Sequence, residues 1–92
     1  MKNTIIELIK KKIKIHHIHI EDLTKNHIKH QDFDGGGHYK MIIVSDEFNS
    51  FSLLKRHKMI YDILEKMIKK EIHAISLKTL TVDEYMNKKE AR

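Results

Sequence analysis

Histidine is the residue type in this chain best suited to bind a metal or to transfer a proton near neutral pH. The 92 residues include eight histidines and no cysteine. No thiolate can therefore act as a nucleophile, and any metal ligand must be an imidazole, a carboxylate or a group from a partner. His27 and His30 lie three residues apart, a spacing compatible with shared metal coordination. Because the chain has no second pair of spaced ligands, a solvent-exposed pair without function is the alternative.

His73 is the second candidate because of its neighbours. It lies among Ile72, Ala74 and Ile75, where an imidazole is costly to bury unless it is hydrogen-bonded. It could be a structural histidine with satisfied hydrogen bonds, or a ligand or acid–base group near the end of a sheet. The pattern alone leaves both interpretations open.

Two further segments could contact anions. The glycines at 35–37 match neither a P-loop nor a glycine loop that opens a helix, so a flexible connection is predicted there. Lys55, Arg56, His57 and Lys58 could contact phosphates if they form the corner between two helices, and otherwise form a solvated helix corner. We find no Ser-His-Asp spacing, no nucleophile elbow and no paired carboxylate motif, so we expect a protein that is not an enzyme.

Composition predicts one small domain over residues 1–92, with a core at about 4–86 and a frayed tail at 87–92. Hydrophobic residues make up 40% of the chain and charged residues 34%, which favours a folded and soluble protein. The net charge of +5 comes mostly from lysine. No apolar run is long enough to span a bilayer, and the first residues lack a secretory pattern, so a cytoplasmic location is expected.

The elements that must position these residues begin with a helix. Thr4 and Glu7 form a capping-box pattern, which predicts a helix from Thr4 to about Lys12. From residue 15 to 20 the apolar period changes to two, as in a half-buried strand. Residues 22–37 have loop composition, and the apolar run in 38–45 predicts a strand buried on both faces.

The second half of the chain predicts two helices, a strand and a final helix. Asn49 or Ser50 could cap the helical span 50–70, in which the polar cluster at 55–58 marks a break between two helices. Alternation predicts a strand over 71–79, with residues 73, 75 and 77 on one face and 72, 74 and 76 on the other. A second capping box, from Thr81 to Glu84, opens a helix that ends near Asn87.

The predicted fold class is α+β, in the order αββααβ(α). A three-stranded mixed sheet carries its helices on one face. The right-handed crossover rule makes the second and third strands parallel, and the first strand pairs antiparallel with one of them.

Several ordered motifs together resemble the BolA family. They lie at Asp22–His30 (D-x-[ST]-x-x-H-x-x-H), Gly37–Lys40, Ser45–Phe48, Leu53–Tyr61 and Ile72–Ser76. The resemblance covers about residues 15–86 and implies a class II KH-like fold, which agrees with the order of elements read from the periodicity.

The resemblance implies a partner protein of monothiol (CGFS-type) glutaredoxins that shares a bridging [2Fe–2S] cluster. The glutaredoxin cysteine and glutathione would supply sulfur ligands. This chain would supply His73 and a loop histidine, for which His27 matches best, His30 is the alternative and His38 is less suited. Imidazole ligands remove negative charge from such a cluster, which should raise its reduction potential and ease its transfer.

The family is also linked to transcriptional regulation, which makes DNA binding the second expected function. The contact would be the corner formed by Lys55, Arg56, His57 and Lys58. That corner lacks the G-x-x-G loop with which KH domains clamp RNA, so RNA binding is not expected. The chain alone is expected to be a monomer.

Overall fold

The elements follow the predicted order, with one helix fewer between the last two strands. The computed structural model describes residues 2–24, 37–68, 70 and 72–90. The elements are α1 (Lys2–Lys12), β1 (His17–Asp22), β2 (Gly37–Val44), a 3-10 turn (Asp46–Phe48), α2 (Leu53–Ile63), β3 (Ile72–Leu80) and α3 (Val82–Glu90).

The three strands form one mixed sheet in the order β1-β2-β3. β1 runs antiparallel to β2, and β2 runs parallel to β3. Both pairings agree with the predicted topology, since the long connection through α2 returns the chain in the same direction.

The core lies between α1, α2 and one face of the sheet. Ile5 and Ile9 of α1 and Ile60 of α2 are fully buried against Met41 and Ile43 of β2. On the other face of β2, Lys40 is exposed and Ile42 is only half-buried, so the prediction of burial on both faces was wrong. The apolar run 41–44 contributes side chains both to the core and to a partly open face of the sheet. A continuous apolar run alone does not tell a strand with one buried face from a strand buried on both.

Both early helix starts differ from the predicted ones. α1 begins at Lys2, so Thr4 lies within its first turn and does not cap it. The cap of α2 is Ser52, whose hydroxyl accepts a hydrogen bond from the Lys55 amide at 3.2 Å. Asn49 instead ends the preceding 3-10 turn. Asn49, Ser50 and Ser52 are all good capping residues, and only the packing of the helix selects among them.

α2 continues through the polar cluster at 55–58, so the predicted break there was wrong. Arg56 and Ile60, one turn apart, are both buried, which means that the cluster includes an inward-facing position. The chain leaves helical geometry only after Ile63, in a series of turns.

α3 begins with the predicted capping box. The Thr81 hydroxyl accepts from the Glu84 amide at 3.1 Å, and Glu84 Oε1 accepts from the Thr81 amide at 2.8 Å. The helix continues to Glu90, beyond the predicted end at Asn87. Its Tyr85 ring stacks on His17 with 5.2 Å between centroids, which attaches α3 to the start of β1. In the part of the chain described, no helix is long and apolar enough to cross a membrane.

Candidate functional site

The start of β3 contains the one register shift between β2 and β3. Gly37 is opposite Ile72 and His38 is opposite Ala74, so His73 has no partner residue in β2. One extra residue in a strand is a β-bulge, a feature that re-aims side chains and is frequent beside functional sites. The side chain of His73 lies outside the described part, and its position is given by its backbone.

The bulge also moves Ile72 to the core face. Ile72 is buried in the same cluster that Ile75 and Leu77 pack against. The prediction that Ile72 shares a face with Ala74 and Ser76 was therefore wrong. Strict alternation fails across a bulge because the inserted residue changes the parity of the strand.

Parallel pairing brings the starts of β2 and β3 to the same edge of the sheet, so the backbones of His38 and His73 are neighbours there. The His38 carbonyl accepts from the Leu23 amide at 2.8 Å, and the His38 amide donates to the Thr24 hydroxyl at 3.1 Å. Thr24 and Gly37, which flank segment 25–36, therefore both lie near the backbones of His38 and His73. We call this end of the sheet, at the starts of β2 and β3, the histidine edge.

Asp22 and Thr24 form a tight turn at the entrance to that segment. Asp22 Oδ1 accepts from the Thr24 amide at 2.9 Å. Hydrogen bonds from the Thr24 side chain and backbone lower the pKa of Asp22 below its ordinary value of 3.8. The carboxylate therefore stays charged and keeps the chain turned towards β2.

Gly37 is required at the other flank. A Cβ at this position would lie 2.4 Å from Cε2 of Tyr39, which is closer than any ordinary contact. Tyr39 is itself buried, and burial followed by the charge of Asp22 raises its pKa above 10.0. A neutral tyrosine ring thus lies against the glycine and fixes the start of β2.

An open, largely apolar pocket of about 220 Å³ lies beside the histidine edge. Its lining comes from the end of β1 and the starts of β2 and β3, namely Leu23, His38, Tyr39, Ala74, Ile75 and Ser76. His38 is half-buried in this lining. The pocket offers a partner an apolar surface next to two histidine positions.

The loop histidines proposed as metal ligands, His27 and His30, lie outside the described residues. Within the described part of the chain, no three histidine, aspartate, glutamate or cysteine side chains gather into a group that could hold a metal ion. The residues described thus bring together the backbones of His38 and His73 and do not by themselves form a metal site.

Arg56 does not have the position predicted for a DNA contact, because only 6% of it is exposed. Its Nε donates to the Phe51 carbonyl at 2.9 Å, and its Nη1 donates to Glu84 Oε1 at 2.9 Å. Nη1 also lies 3.5 Å from the Thr79 carbonyl. Arg56 therefore joins α2 to β3 and α3, and the prediction of a phosphate contact from it is corrected.

The rest of the cluster divides between surface and groove. Lys55 is exposed and lies over the Phe51 ring at 5.1 Å, and Lys58 is also exposed. His57 is half-buried in a groove between α2 and β3. Two separate cations, and not a four-residue corner, remain available to an anion.

Sequence reasoning missed Thr24, Tyr39 and the Arg56–Glu84 ion pair as parts of the structure around these sites. Glu84 had one visible signal, the capping box, which fixes its carboxylate near Thr81. Thr24 stood in the motif at Asp22–His30, but its contact with His38, 14 residues away, had no local signal. Arg56 had none either, since Glu84 lies 28 residues away.

The fold and the histidine edge define a small α+β domain with a mixed sheet and a bulged third strand. The chain belongs to the BolA family, because the family model described as "BolA-like protein" matches residues 9–84.

Curated relatives and solved structures agree with this membership. An uncharacterised protein of Buchnera aphidicola is 40% identical over 91% of this chain and 83% of its own. The protein named DNA-binding transcriptional regulator BolA of Haemophilus influenzae is 29% identical over 92% of this chain and 81% of its own. The solved BolA domain of SufE1 from Arabidopsis thaliana is 34% identical, with a TM-score of 0.77 over 89% of this chain and 92% of that domain.

Proposed function

We propose that this chain is a BolA-like adaptor that binds a monothiol glutaredoxin and shares a bridging [2Fe–2S] cluster with it in iron–sulfur trafficking or iron homeostasis. The observation that carries the proposal is the β-bulge at His73, beside His38 and both flanks of segment 25–36. The role is one of binding and needs no catalytic residue in this chain.

The donor chemistry of the chain fits such a shared group. Because the chain has no cysteine, it can offer imidazoles while thiolates come from the glutaredoxin and glutathione. His73 is the first proposed ligand and His27 the second, with His30 as the alternative. When bound, the cluster would transfer electrons or would itself be transferred. Neutral imidazole ligands would raise its reduction potential and ease its transfer.

The residues around the histidine edge have supporting roles in this proposal. The bulge removes His73 from the regular ladder, so its orientation is not dictated by a partner residue in β2. The hydrogen bond between the Thr24 hydroxyl and the His38 amide holds the two flanks of segment 25–36 together at this edge. The apolar pocket beside His38 would exclude water from a docked partner.

The test is anaerobic cluster reconstitution with a monothiol glutaredoxin and glutathione, followed by visible circular dichroism. A spectrum distinct from that of the glutaredoxin homodimer is expected. The His73→Ala variant should lose it, and His38→Ala should retain more of it. His19→Ala is the matched control, because His19 is an exposed histidine on β1 away from the edge. Equal cluster retention in His73→Ala and His19→Ala would refute the ligand assignment.

A second candidate function is DNA-binding transcriptional regulation. Its support is the name of the Haemophilus influenzae relative together with the exposed Lys55 and Lys58 on α2. Fluorescence anisotropy with duplex DNA should then show affinity that falls steeply with salt and falls further in the Lys55→Ala/Lys58→Ala variant. The matched control is Lys10→Ala/Lys11→Ala on α1. Equal affinity in both variants would exclude α2 as the contact.

A further inference from the structure

One side of β3 is an open strand edge. β3 pairs with β2 on one side, and no other strand of the described chain pairs along its second side. Both ends of β3 are occupied there. Ile72 bridges to Ile68 and its amide donates to the Met67 carbonyl at 3.0 Å, and the Thr79 carbonyl lies 3.5 Å from Arg56 Nη1. An unpaired edge offers backbone donors and acceptors to an added strand.

The hydrogen bonds at the end of β3 show which backbone groups face outward. The Leu80 carbonyl accepts from the Ser45 amide at 3.0 Å, so Leu80 directs its backbone groups towards β2. The carbonyl of Thr79 instead faces Arg56, on the side away from β2. Alternate residues of a strand therefore point to opposite sides, as regular strand geometry requires.

Extending this alternation along β3 defines the free edge. Ser76 and Lys78 direct their backbone groups to β2, whereas Ile75 and Leu77 direct theirs outward. Thr79 also points outward, but it is only 2% exposed and its carbonyl lies beside Arg56. The free edge is therefore 75–77, which can pair with about three residues of an added strand.

A groove of about 390 Å³ runs beside this edge, between α2 and β3. Leu53, Leu77 and Leu80 give it an apolar lining. Leu53 is 63% exposed and its neighbour Leu54 is 81% exposed, so the apolar surface continues from the groove onto α2. Exposed apolar side chains next to a free strand edge are a feature of peptide-binding sites.

The charges around the groove select an acidic occupant. Lys78 is exposed on the edge strand and lines the groove. The one acidic residue of the lining, Glu84, is already ion-paired with α2. We infer that the groove binds an extended segment of a partner protein, with alternating acidic and apolar side chains, which adds to β3 as a fourth strand.

The observations favour a peptide over the other occupants. The groove lining contains no phenylalanine, tyrosine or tryptophan on which single-stranded bases could stack. A second copy of the chain would bring Lys78 close to Lys78 of the copy, which costs energy through like-charge repulsion.

This docking surface is separate from the proposed ligand histidines and requires neither a cluster nor a glutaredoxin. It can therefore fail or succeed independently of the proposed function.

The probe is an end-blocked fluorescent peptide in which glutamate and valine alternate. It is 9 residues long, as β3 is. Fluorescence anisotropy should show saturable binding to the full chain. Lys78→Glu should weaken it by about tenfold, whereas Lys11→Glu on α1, an equal change in net charge, should leave it unchanged. A peptide with N-methyl groups on alternate valines should not bind, because it keeps the side chains but cannot pair as a strand.

Amide hydrogen exchange identifies the edge directly. On addition of the peptide, the exchange of the Ile75 and Leu77 amides should slow, while that of the Ser76 and Lys78 amides should not change.

Three results would overturn the inference: equal binding of the methylated peptide, tighter binding of a labelled oligothymidylate, or concentration-dependent protection of the same amides without peptide. The last two would assign the groove to single-stranded nucleic acid or to a second copy of the chain.

Discussion

Replacing Glu84 with alanine should destabilise the domain by about 2 kcal/mol, which tests the assignment of Arg56 as a structural residue. The change removes two contacts of Glu84 Oε1, one with the Thr81 amide at 2.8 Å and one with Arg56 Nη1 at 2.9 Å. Loss of the capping contact costs about 1 kcal/mol. Loss of the ion pair costs about 1 kcal/mol more, well below the value for a fully buried pair, because Glu84 is 47% exposed and solvent screens it.

The assay is urea unfolding followed by circular dichroism, with two comparison variants. Glu84→Gln should lose about 1 kcal/mol, because its amide oxygen still accepts from Thr81 but carries no charge for Arg56. Glu65→Ala is the control, since Glu65 is exposed and its change should stay within about 0.5 kcal/mol.

The effect should depend on pH in a defined direction. The hydrogen bond from the Thr81 backbone and then that from Arg56 hold the pKa of Glu84 below its ordinary value of 4.5. The contribution of the charged carboxylate is therefore fully present above that value and is lost as pH falls through the lowered pKa. The gap between wild type and Glu84→Gln should narrow between about pH 5 and pH 2. A Glu84→Ala loss no larger than that of Glu65→Ala, or a Glu84→Gln gap that does not change with pH, would refute the reasoning.

Three other predictions concern single residues. Thr79→Val should keep the free energy of unfolding or raise it by up to about 1 kcal/mol, because its buried hydroxyl has no hydrogen-bond partner among the residues that the structure describes; a loss above about 1 kcal/mol in urea unfolding would contradict this. Gly37→Ala should cost about 1–3 kcal/mol by the same assay, and adding Tyr39→Leu should recover part of the loss, since the clash is with that ring. Thr24→Ala should raise the pKa of Asp22 part of the way towards 3.8, measured by NMR titration, because it removes the side-chain hydrogen bond and keeps the backbone one; an unchanged pKa would contradict the assignment of the side-chain hydrogen bond.

The predictable part of the fold was the part with a strong local signal. Alternation at Ile18 and Ile20 located β1, and the Thr81–Glu84 pattern located the start of α3. Both signals involve residues that contact one another or share one face, so sequence spacing is enough to reveal them.

The unpredicted part depended on contacts between distant residues. α2 runs through Arg56 because the guanidinium forms an ion pair with the half-exposed Glu84. No local pattern indicates a partner so far along the chain. The bulge at His73 follows from pairing with β2, so the sequence showed an alternating strand and missed the change of face at Ile72. His73 was a candidate from its apolar neighbours, its role as a ligand is what the resemblance to the BolA family implies, and its place in a bulge comes from the backbone.

The most direct test of the proposed function is pulsed electron paramagnetic resonance of the reduced complex. This chain would be labelled with ¹⁵N-histidine and mixed with unlabelled monothiol glutaredoxin, glutathione, iron and sulfide. The proposal predicts ¹⁵N hyperfine couplings from this chain that lose the His73 contribution in His73→Ala and are unchanged in His19→Ala. A cluster without ¹⁵N coupling, or couplings in His73→Ala identical to those of the wild type, would contradict it.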